Sequence, residues 1–166
     1  HEALTRHGTL PWPHSSDDVW RRIDVSLLDP MEAFNPLRPE QLGASSLSDV
    51  QYASLIRPLG DEQLAVRVEG RWRTPPKLSD VSIREFNEAA QNGDGSIREI
   101  LKVDGATDAE QKLATLNAAF HHDDVVIDVP ANTSVAHPVR LVHILAASAN
   151  QVLFPLTVIR VGAGSS

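Results

Sequence analysis

A sharp change in charge near residue 129 constrains the fold of this sequence more than any other feature. From Val129 to Ser166 the only charged residues are Arg140 and Arg160, whereas all 22 acidic residues precede Val129. Because charged side chains are rarely buried, a nearly uncharged segment rich in β-branched residues indicates strands that are covered on both faces. An acidic first part with many prolines therefore precedes a second part of a different structural kind.

Three short apolar runs near or beyond this boundary have the composition of strands. They are residues 125–129, 140–145 and 152–161, and the stretches between them show no helical period. Short strands at this spacing without intervening helices suit a sandwich, a barrel or a β-solenoid. The lack of strict alternation between apolar and polar residues favours the stacked coils of a solenoid.

The acidic first part contains a predicted hairpin and a well-marked helix. Leu64, Val66 and Val68 alternate with other residues before Gly70, which predicts a strand and a tight turn within residues 61–72. The Thr-Asp-Ala-Glu sequence that begins at Thr107 matches a capping box. We therefore expect a helix over residues 108–120.

Weaker patterns predict further short elements. Apolar residues on one helical face predict a helix that begins at Ser82 and is stopped by the Asn-Gly-Asp-Gly sequence at 92–95. Four other elements are expected from caps and prolines: the end of a helix at residues 1–6 followed by Gly8, short helices at 17–22 and 96–101, and a loop at 31–46.

The composition excludes several classes of protein. The chain has no cysteine, which rules out disulfide scaffolds, thiol nucleophiles and cysteine-ligated zinc or iron–sulfur sites within it. A net charge of −7 without a basic stripe argues against nucleic acid and anionic membranes as partners. No apolar run approaches the roughly 18 residues that a membrane-spanning helix needs. Because the chain begins at His1 and ends directly after an apolar run, we expect it to be a piece of a longer protein.

Four pairs of segments, in the same order, resemble the SufB/SufD family of iron–sulfur cluster assembly proteins. They are LPWP at 10–13 with WRRIDVSLL at 20–28, VRVEGR at 66–71 with KLSD at 77–80, KLATLNAAF at 112–120 with VVIDVPA at 125–131, and HPVRLVHI at 137–144 with VIRVG at 158–162. The second pair is more similar to SufD than to SufB. The chain departs from the family pattern at Asp123-Asp124, where the family has Asp-Gly, and in the spacer at 29–46.

This resemblance implies a fold. The expected fold is a small α+β amino-terminal domain at residues 1–122, followed at residues 123–166 by the first coils of a right-handed parallel β-helix. We expect the coil that ends near Ser166 to expose apolar surface and to pair with a neighbouring molecule.

The resemblance also implies a function, partners and a compartment. The implied function is that of a SufD-like scaffold subunit in a cytoplasmic SufBCD-type complex that supports iron–sulfur cluster assembly, with no catalysis by this chain alone. The implied partners are a SufC-like ATPase, which uses ATP, and a SufB-like sister subunit or a second copy of this chain. No cofactor, catalytic residue or cluster ligand is carried over, because the family's cluster-assembly residues would lie beyond Ser166.

The densest group of potential metal ligands is His121-His122-Asp123-Asp124. Adjacent histidines point in different directions on a helix end or a strand, so a single ion is not expected to bind both. We expect a solvated turn at a helix carboxyl terminus and no bound metal, with His121 and His122 as the candidates if a metal site exists.

Other residues whose side chains could take part in binding or catalysis have simpler structural explanations as strand histidines, helix-end or turn carboxylates and core anchors. They are His137 and His143, the aspartates Asp17 and Asp18, and the tryptophans Trp12, Trp20 and Trp72. The tryptophans could instead line a ligand groove. Without a cysteine or a Gly-x-Ser-x-Gly motif, the sequence predicts no enzyme active site.

A second function from another class is also consistent with the sequence. The chain could be a free-standing β-solenoid or cupin-like module that binds a small molecule or a metal through His121, His122 or His143. The scaffold hypothesis requires a longer native chain and no ion in this segment, whereas the binding-module hypothesis requires a complete chain and a stoichiometric ion.

Overall fold

The described residues of the computed structural model form four helices and eight strands. They are residues 2–17, 20–22, 35–36, 40, 47–57, 59–74, 76, 78–91, 107–122, 124–146 and 151–166. The helices are α1 (Glu2–Thr9), α2 (Asp49–Leu55), α3 (Phe86–Gln91) and α4 (Asp108–Phe120). The strands are β1 (Asn35–Pro36), β2 (Gln63–Val68), β3 (Arg71–Thr74), β4 (Ser82–Glu85), β5 (Val125–Val129), β6 (Val139–Ile144), β7 (Gln151–Val152) and β8 (Thr157–Val161).

Six of these strands form two small mixed sheets. The first sheet has the order β3-β2-β6, in which β2 is antiparallel to β3 and parallel to β6. The second sheet has the order β4-β5-β8, in which β5 is antiparallel to β4 and parallel to β8. Strands β1 and β7 pair in parallel over two residues. Each three-stranded sheet therefore has a central strand with one parallel and one antiparallel neighbour.

The prediction of a right-handed parallel β-helix is wrong. Strands β5, β6 and β8 do not stack in turn, because β6 pairs with β2 while β8 pairs with β5. Both sheets also contain an antiparallel ladder, to β3 and to β4, which a parallel coil does not have. Low charge and missing alternation favour a covered strand without specifying its neighbours, and the predicted coverage of both faces is itself wrong for β8, where Ile159 and Val161 are exposed. The described residues instead form a small α+β fold.

The two ladders β2–β6 and β4–β5 connect residues on either side of the predicted boundary between residues 122 and 123. The division of the chain into domains 1–122 and 123–166 stays a prediction.

Two local predictions from the sequence are confirmed. Strands β2 and β3 form the predicted hairpin, whose two turn residues Glu69 and Gly70 both have positive φ, as tight hairpin turns require. Helix α4 covers the predicted residues and begins with the predicted capping box. The Thr107 hydroxyl accepts the Glu110 N–H at 3.4 Å, and the Glu110 carboxylate accepts the Thr107 N–H at 2.9 Å.

Other local predictions are wrong in part. The segment from Ser82 to Glu85 is strand β4 rather than the first turn of a helix, because pairing with β5 satisfies its backbone. Helix α1 continues through Gly8 to Thr9. The run 152–161 is divided between β7 and β8, and the described part of the predicted helix at 17–22 forms turns.

The predicted turn at 92–95 and helix at 96–101 lie outside the described residues, as do Asp18, Asp123 and most of the predicted loop at 31–46. Within that loop, only β1 and residue 40 are described.

Among the described residues, the buried apolar side chains form two clusters, one on each three-stranded sheet. Phe86, Ala89, Val126 and Val158 join α3 to the second sheet. The first sheet buries Val66, Val68 and Ile144, against which Tyr52 of α2 and other partly buried residues pack. No helix in the described part of the chain has the length and apolar character that crossing a bilayer demands.

Candidate functional site

His121, one of the two metal-ligand candidates, forms a hydrogen-bonded pair with a buried carboxylate. It is the C-cap residue of α4, and its Nδ1 contacts Oδ2 of Asp124. Asp124 is buried, its Oδ1 accepts the Leu156 N–H at 3.0 Å, and its backbone carbonyl accepts the Phe86 N–H at 2.8 Å. Asp124 therefore connects the end of α4 to the start of α3 and to the residue that precedes β8.

The electrostatics of this pair favour a protonated histidine. The hydrogen bond to Asp124 raises the pKa of His121, partial burial opposes that shift, and the charge of Asp124 adds to it. The ring of Phe86 lies edge-on to the imidazole at a centroid distance of 6.1 Å. Because a metal ligand must be the neutral imidazole, a histidine with a raised pKa is a poorer ligand near neutral pH.

The predicted metal candidates do not assemble into a larger ligand set. His122 is half-buried after His121, and Asp123 lies outside the described residues. Among the described side chains, no group of three or more His, Asp or Glu residues could hold a metal ion. His121 is instead a positioned histidine with a structural partner, and the prediction that no metal binds here stays a prediction.

His143, the third histidine of the binding-module hypothesis, lies in the other sheet beside a buried cation. It is opposite Arg67 in the β2–β6 ladder, and Arg67 is fully buried with its guanidinium 4.5 Å from the centre of the Trp72 ring. Burial, and then the charge of Arg67, lower the pKa of His143. The fold therefore does not gather His121, His122 and His143 into one site.

A groove of about 610 Å³ lies between the amino-terminal segment and the start of α4. Cavities of about 300–1,000 Å³ are the usual size of small-molecule sites. Its lining includes Pro11, Trp12, His14, Asp17 and Trp20 from the segment after α1, and Asp108 from α4. From the sequence, Trp12 and Trp20 were expected to anchor the core, with lining of a ligand groove as the alternative. The structure places both at the groove.

The Trp12 side of the groove is fixed by a polar contact between α1 and α4. The Lys112 ammonium donates to the His7 carbonyl at 2.6 Å, and the His7 Nδ1–H donates to the Lys112 carbonyl at 3.0 Å. The same ammonium lies 5.0 Å from the centre of the Trp12 ring, and the His7 ring meets Trp12 edge-on at 5.6 Å. Pro11 and Pro13 keep the chain extended here, so it leaves α1 and runs along α4.

The Trp20 side is fixed by a turn around Asp17. The Asp17 carboxylate accepts the His14 N–H at 2.9 Å, and the Asp17 carbonyl accepts the Trp20 N–H at 2.9 Å. The indole Nε1 of Trp20 is buried and has no hydrogen-bond partner among the described residues. A buried donor without an acceptor costs about 1–3 kcal/mol, so its presence at a groove calls for an explanation.

No pattern in the sequence connects these groove residues with one another. By sequence, Asp17 is a helix-end charge and Thr107-Asp108 is only a cap. The one usable signal is the pair of prolines around Trp12, because they predict an extended segment directly after a helix.

Strand β8 presents an exposed apolar surface at the edge of the second sheet. Val158 is buried against α3, whereas Ile159 and Val161, on the other face, are 63% and 64% exposed. The only charge in the strand, Arg160, is paired with Asp128 of β5. Edge strands of low charge with exposed apolar side chains favour pairing with another chain.

Comparison with known proteins assigns this chain to no family. No protein-family model matches it, and no curated protein matches it at a significant level. The resemblance to SufB/SufD proteins therefore rests on the order of the quoted segments.

Proposed function

We propose that this chain is the amino-terminal part of a SufD-like scaffold subunit that supports iron–sulfur cluster assembly in the cytoplasm. The observation that carries the proposal is the order of the four segment pairs that resemble the family. In the strongest pair, residues 112–120 end helix α4 and residues 125–129 form β5, which is the helix-then-strand order that the resemblance implies. The proposal does not depend on a β-helix, which the described strands do not form.

A scaffold acts by presenting surfaces to its partners, and β8 is the surface that fits this role best. Its exposed side chains Ile159 and Val161 are apolar, and the charge of Arg160 is balanced by Asp128 within the sheet. In this proposal the strand docks a SufB-like sister subunit or a second copy, and a SufC-like ATPase in the same complex uses ATP. The chain itself carries out no reaction.

Affinity purification of the native-length protein from its own cells tests the function directly. Mass spectrometry reads both the intact mass and the proteins that co-purify. The proposal expects a mass well above 18.1 kDa together with an ABC-type ATPase and a sister subunit. A mass near 18.1 kDa without those partners would overturn it.

Charge substitutions on β8 test the docking surface in the same purification. Ile159→Lys and Val161→Lys should each lower recovery of the sister subunit by about tenfold, because an ammonium would be desolvated at the contact. Val50→Lys is the matched control, since Val50 of α2 is an apolar residue that is 81% exposed. Equal recovery with all three variants would remove β8 from the proposal while leaving the scaffold function to the co-purification result.

A further inference from the structure

The groove beside α4 has the size and the aromatic content of a small-molecule site. Its volume is about 610 Å³, its lining is largely apolar, and two of the three tryptophans of the chain contribute to it. Neither the scaffold function nor the resemblance accounts for a groove at this place. The chemistry of its walls indicates what it would bind.

Among the described residues that line the groove, two carry a carboxylate and none is a lysine or an arginine. Asp17 belongs to the segment after α1, and Asp108 belongs to α4. Glu110 lies two residues further along α4, where hydrogen bonds from Thr107 lower its pKa, but it does not line the groove. The amino end of α4 contributes about half a positive charge, which the carboxylates of Asp17 and Asp108 outweigh, so these described residues favour a cation.

One of the two indoles of the groove already contacts an ammonium group. The Lys112 ammonium lies 5.0 Å from the centre of the Trp12 ring, within the range of a cation–π contact. Because Lys112 is buried there and donates to the His7 carbonyl, it is held against α1 and is not one of the described residues that line the groove. Trp20 and the two carboxylates remain to contact a ligand from outside.

We propose that this groove binds a small organic cation of the quaternary-ammonium type that also carries a hydroxyl or carboxylate oxygen. A methylated ammonium is weakly hydrated compared with a primary amine, so it loses less on entering a largely apolar groove, and aromatic rings with nearby carboxylates recognise it. The oxygen of the ligand accepts the Trp20 indole N–H, which has no partner among the described residues. This inference is independent of the scaffold function.

Titration of the ¹⁵N-labelled chain with choline, followed by NMR of the indole N–H signals, tests the site. The three tryptophans give separate signals, which single Trp→Phe variants assign. The signals of Trp20 and Trp12 should shift saturably, whereas that of Trp72, which contacts Arg67 in the first sheet, should stay in place. Unmoved Trp12 and Trp20 signals at up to about 10 mM choline would overturn the proposal, since even millimolar affinity would be visible there.

An uncharged ligand of the same shape separates charge recognition from apolar packing. The test compound is 3,3-dimethyl-1-butanol, in which carbon replaces the nitrogen of choline. We expect it to bind at least tenfold more weakly than choline, because the carboxylates and the indole face act on the positive charge. Equal affinity for the two compounds would contradict a cation site.

The residue test uses two aspartates in equivalent helix positions. Asp108 is the first residue of α4 after its cap, and Asp49 is the first residue of α2 after a capping box at Ser48. Asp108→Asn should weaken choline binding about fivefold to tenfold, whereas Asp49→Asn, which removes the same charge from a helix outside the groove, should leave the affinity unchanged. If both substitutions had the same effect, choline would be attracted by the net negative charge of the chain and not by the carboxylate of this groove.

Discussion

Helix α4 contributes to two regions that are stabilised in different ways. On one side, its contact with α1 buries two polar side chains, His7 and Lys112, each of which hydrogen-bonds to the backbone carbonyl of the other residue. On the other side, α4 leads into the second sheet, where Phe86, Val126 and Val158 form a purely apolar cluster.

The two regions have different roles: the apolar cluster mainly stabilises the fold, and the polar contact mainly positions side chains. Burying an apolar side chain contributes about 1.5–3 kcal/mol with little directional requirement, so the second sheet supplies stability. A hydrogen bond contributes about 1 kcal/mol net, but a buried partner left without one is costly, so the α1–α4 contact tolerates only one geometry. That contact therefore fixes where Trp12 lies, and with it one wall of the groove.

The largest expected effect is in the apolar region. Phe86→Ala should lower the free energy of unfolding by about 3–4 kcal/mol, because it leaves a cavity between α3 and the second sheet. Urea unfolding followed by circular dichroism measures the change. Leu59→Ala is the control, since Leu59 is 69% exposed and should cost less than about 0.5 kcal/mol. Similar losses for both variants would mean that the cluster at Phe86 is not a stabilising core.

The polar contact should give a smaller loss of stability and a larger change at the groove. Lys112→Met keeps most of the side-chain volume but removes the ammonium that bonds to the His7 carbonyl, so we expect a cost of about 2 kcal/mol. The indole signal of Trp12 should shift while that of Trp72 does not. A stability loss equal to that of Phe86→Ala, or an unmoved Trp12 signal, would contradict the distinction between the two regions.

The ion-pair cluster of the second sheet should contribute less again. Asp128 accepts hydrogen bonds from Arg160 and Arg84 and is only partly buried, so Asp128→Asn should cost about 1 kcal/mol near pH 7. The hydrogen bond from Arg160, assisted by the contacts with Arg84, holds the pKa of Asp128 below its usual value.

Acid should abolish this contribution. Because the folded-state pKa of Asp128 is lower than the unfolded one, the stabilisation is present above the unfolded value and is lost as the pH falls through the folded value. The wild-type protein and Asp128→Asn should therefore converge in stability at low pH. Asp61→Asn, which removes the same charge at an exposed position before β2, serves as the control and should change the stability near pH 7 by less than about 0.5 kcal/mol.

The smallest expected effect is an opposite pH dependence of two histidines. The pKa of His121 is raised by Asp124, so its contribution to stability is present below the unfolded pKa and is lost as the pH rises through the folded value. The pKa of His143 is lowered by burial, so stability at that site is present above the unfolded pKa and is lost as the pH falls.

Unfolding of His121→Gln and His143→Gln at about pH 5.5 and pH 8.5 separates the two, because these values bracket the pKa of an unperturbed histidine. The first substitution should be more costly at the lower pH and the second at the higher pH. The same pH trend for both variants would show that the contacts of His121 with Asp124 and of His143 with Arg67 do not determine the pH dependence of stability.

The sequence alone determined the elements that depend on interactions between residues close together in the chain. The capping box at Thr107 fixes the start of α4, since its side-chain bonds join residues three apart. The hairpin of β2 and β3 follows from alternation and from Gly70, which adopts positive φ at low cost. The composition of the apolar run that begins at Val125 predicts a strand, whichever neighbouring strand it pairs with. In the candidate site, Trp12, Trp20 and Asp17 could each be picked out from the sequence, but their proximity could not. The position of His121 at the end of a helix was predictable.

Only the tertiary structure decided which of these elements meet. The residues from Ser82 to Glu85 have a helical pattern but become β4, because pairing with β5 outweighs local preference. The same strands of low charge that suggested a β-helix are shared between two mixed sheets, since the hydrophobic effect favours burial without specifying which strand provides it. Trp12, which lines the groove, packs against Lys112 and His7, which are 105 residues apart and bond to each other's backbone. Contacts at that sequence distance leave no periodic signal, so no local pattern could have revealed them.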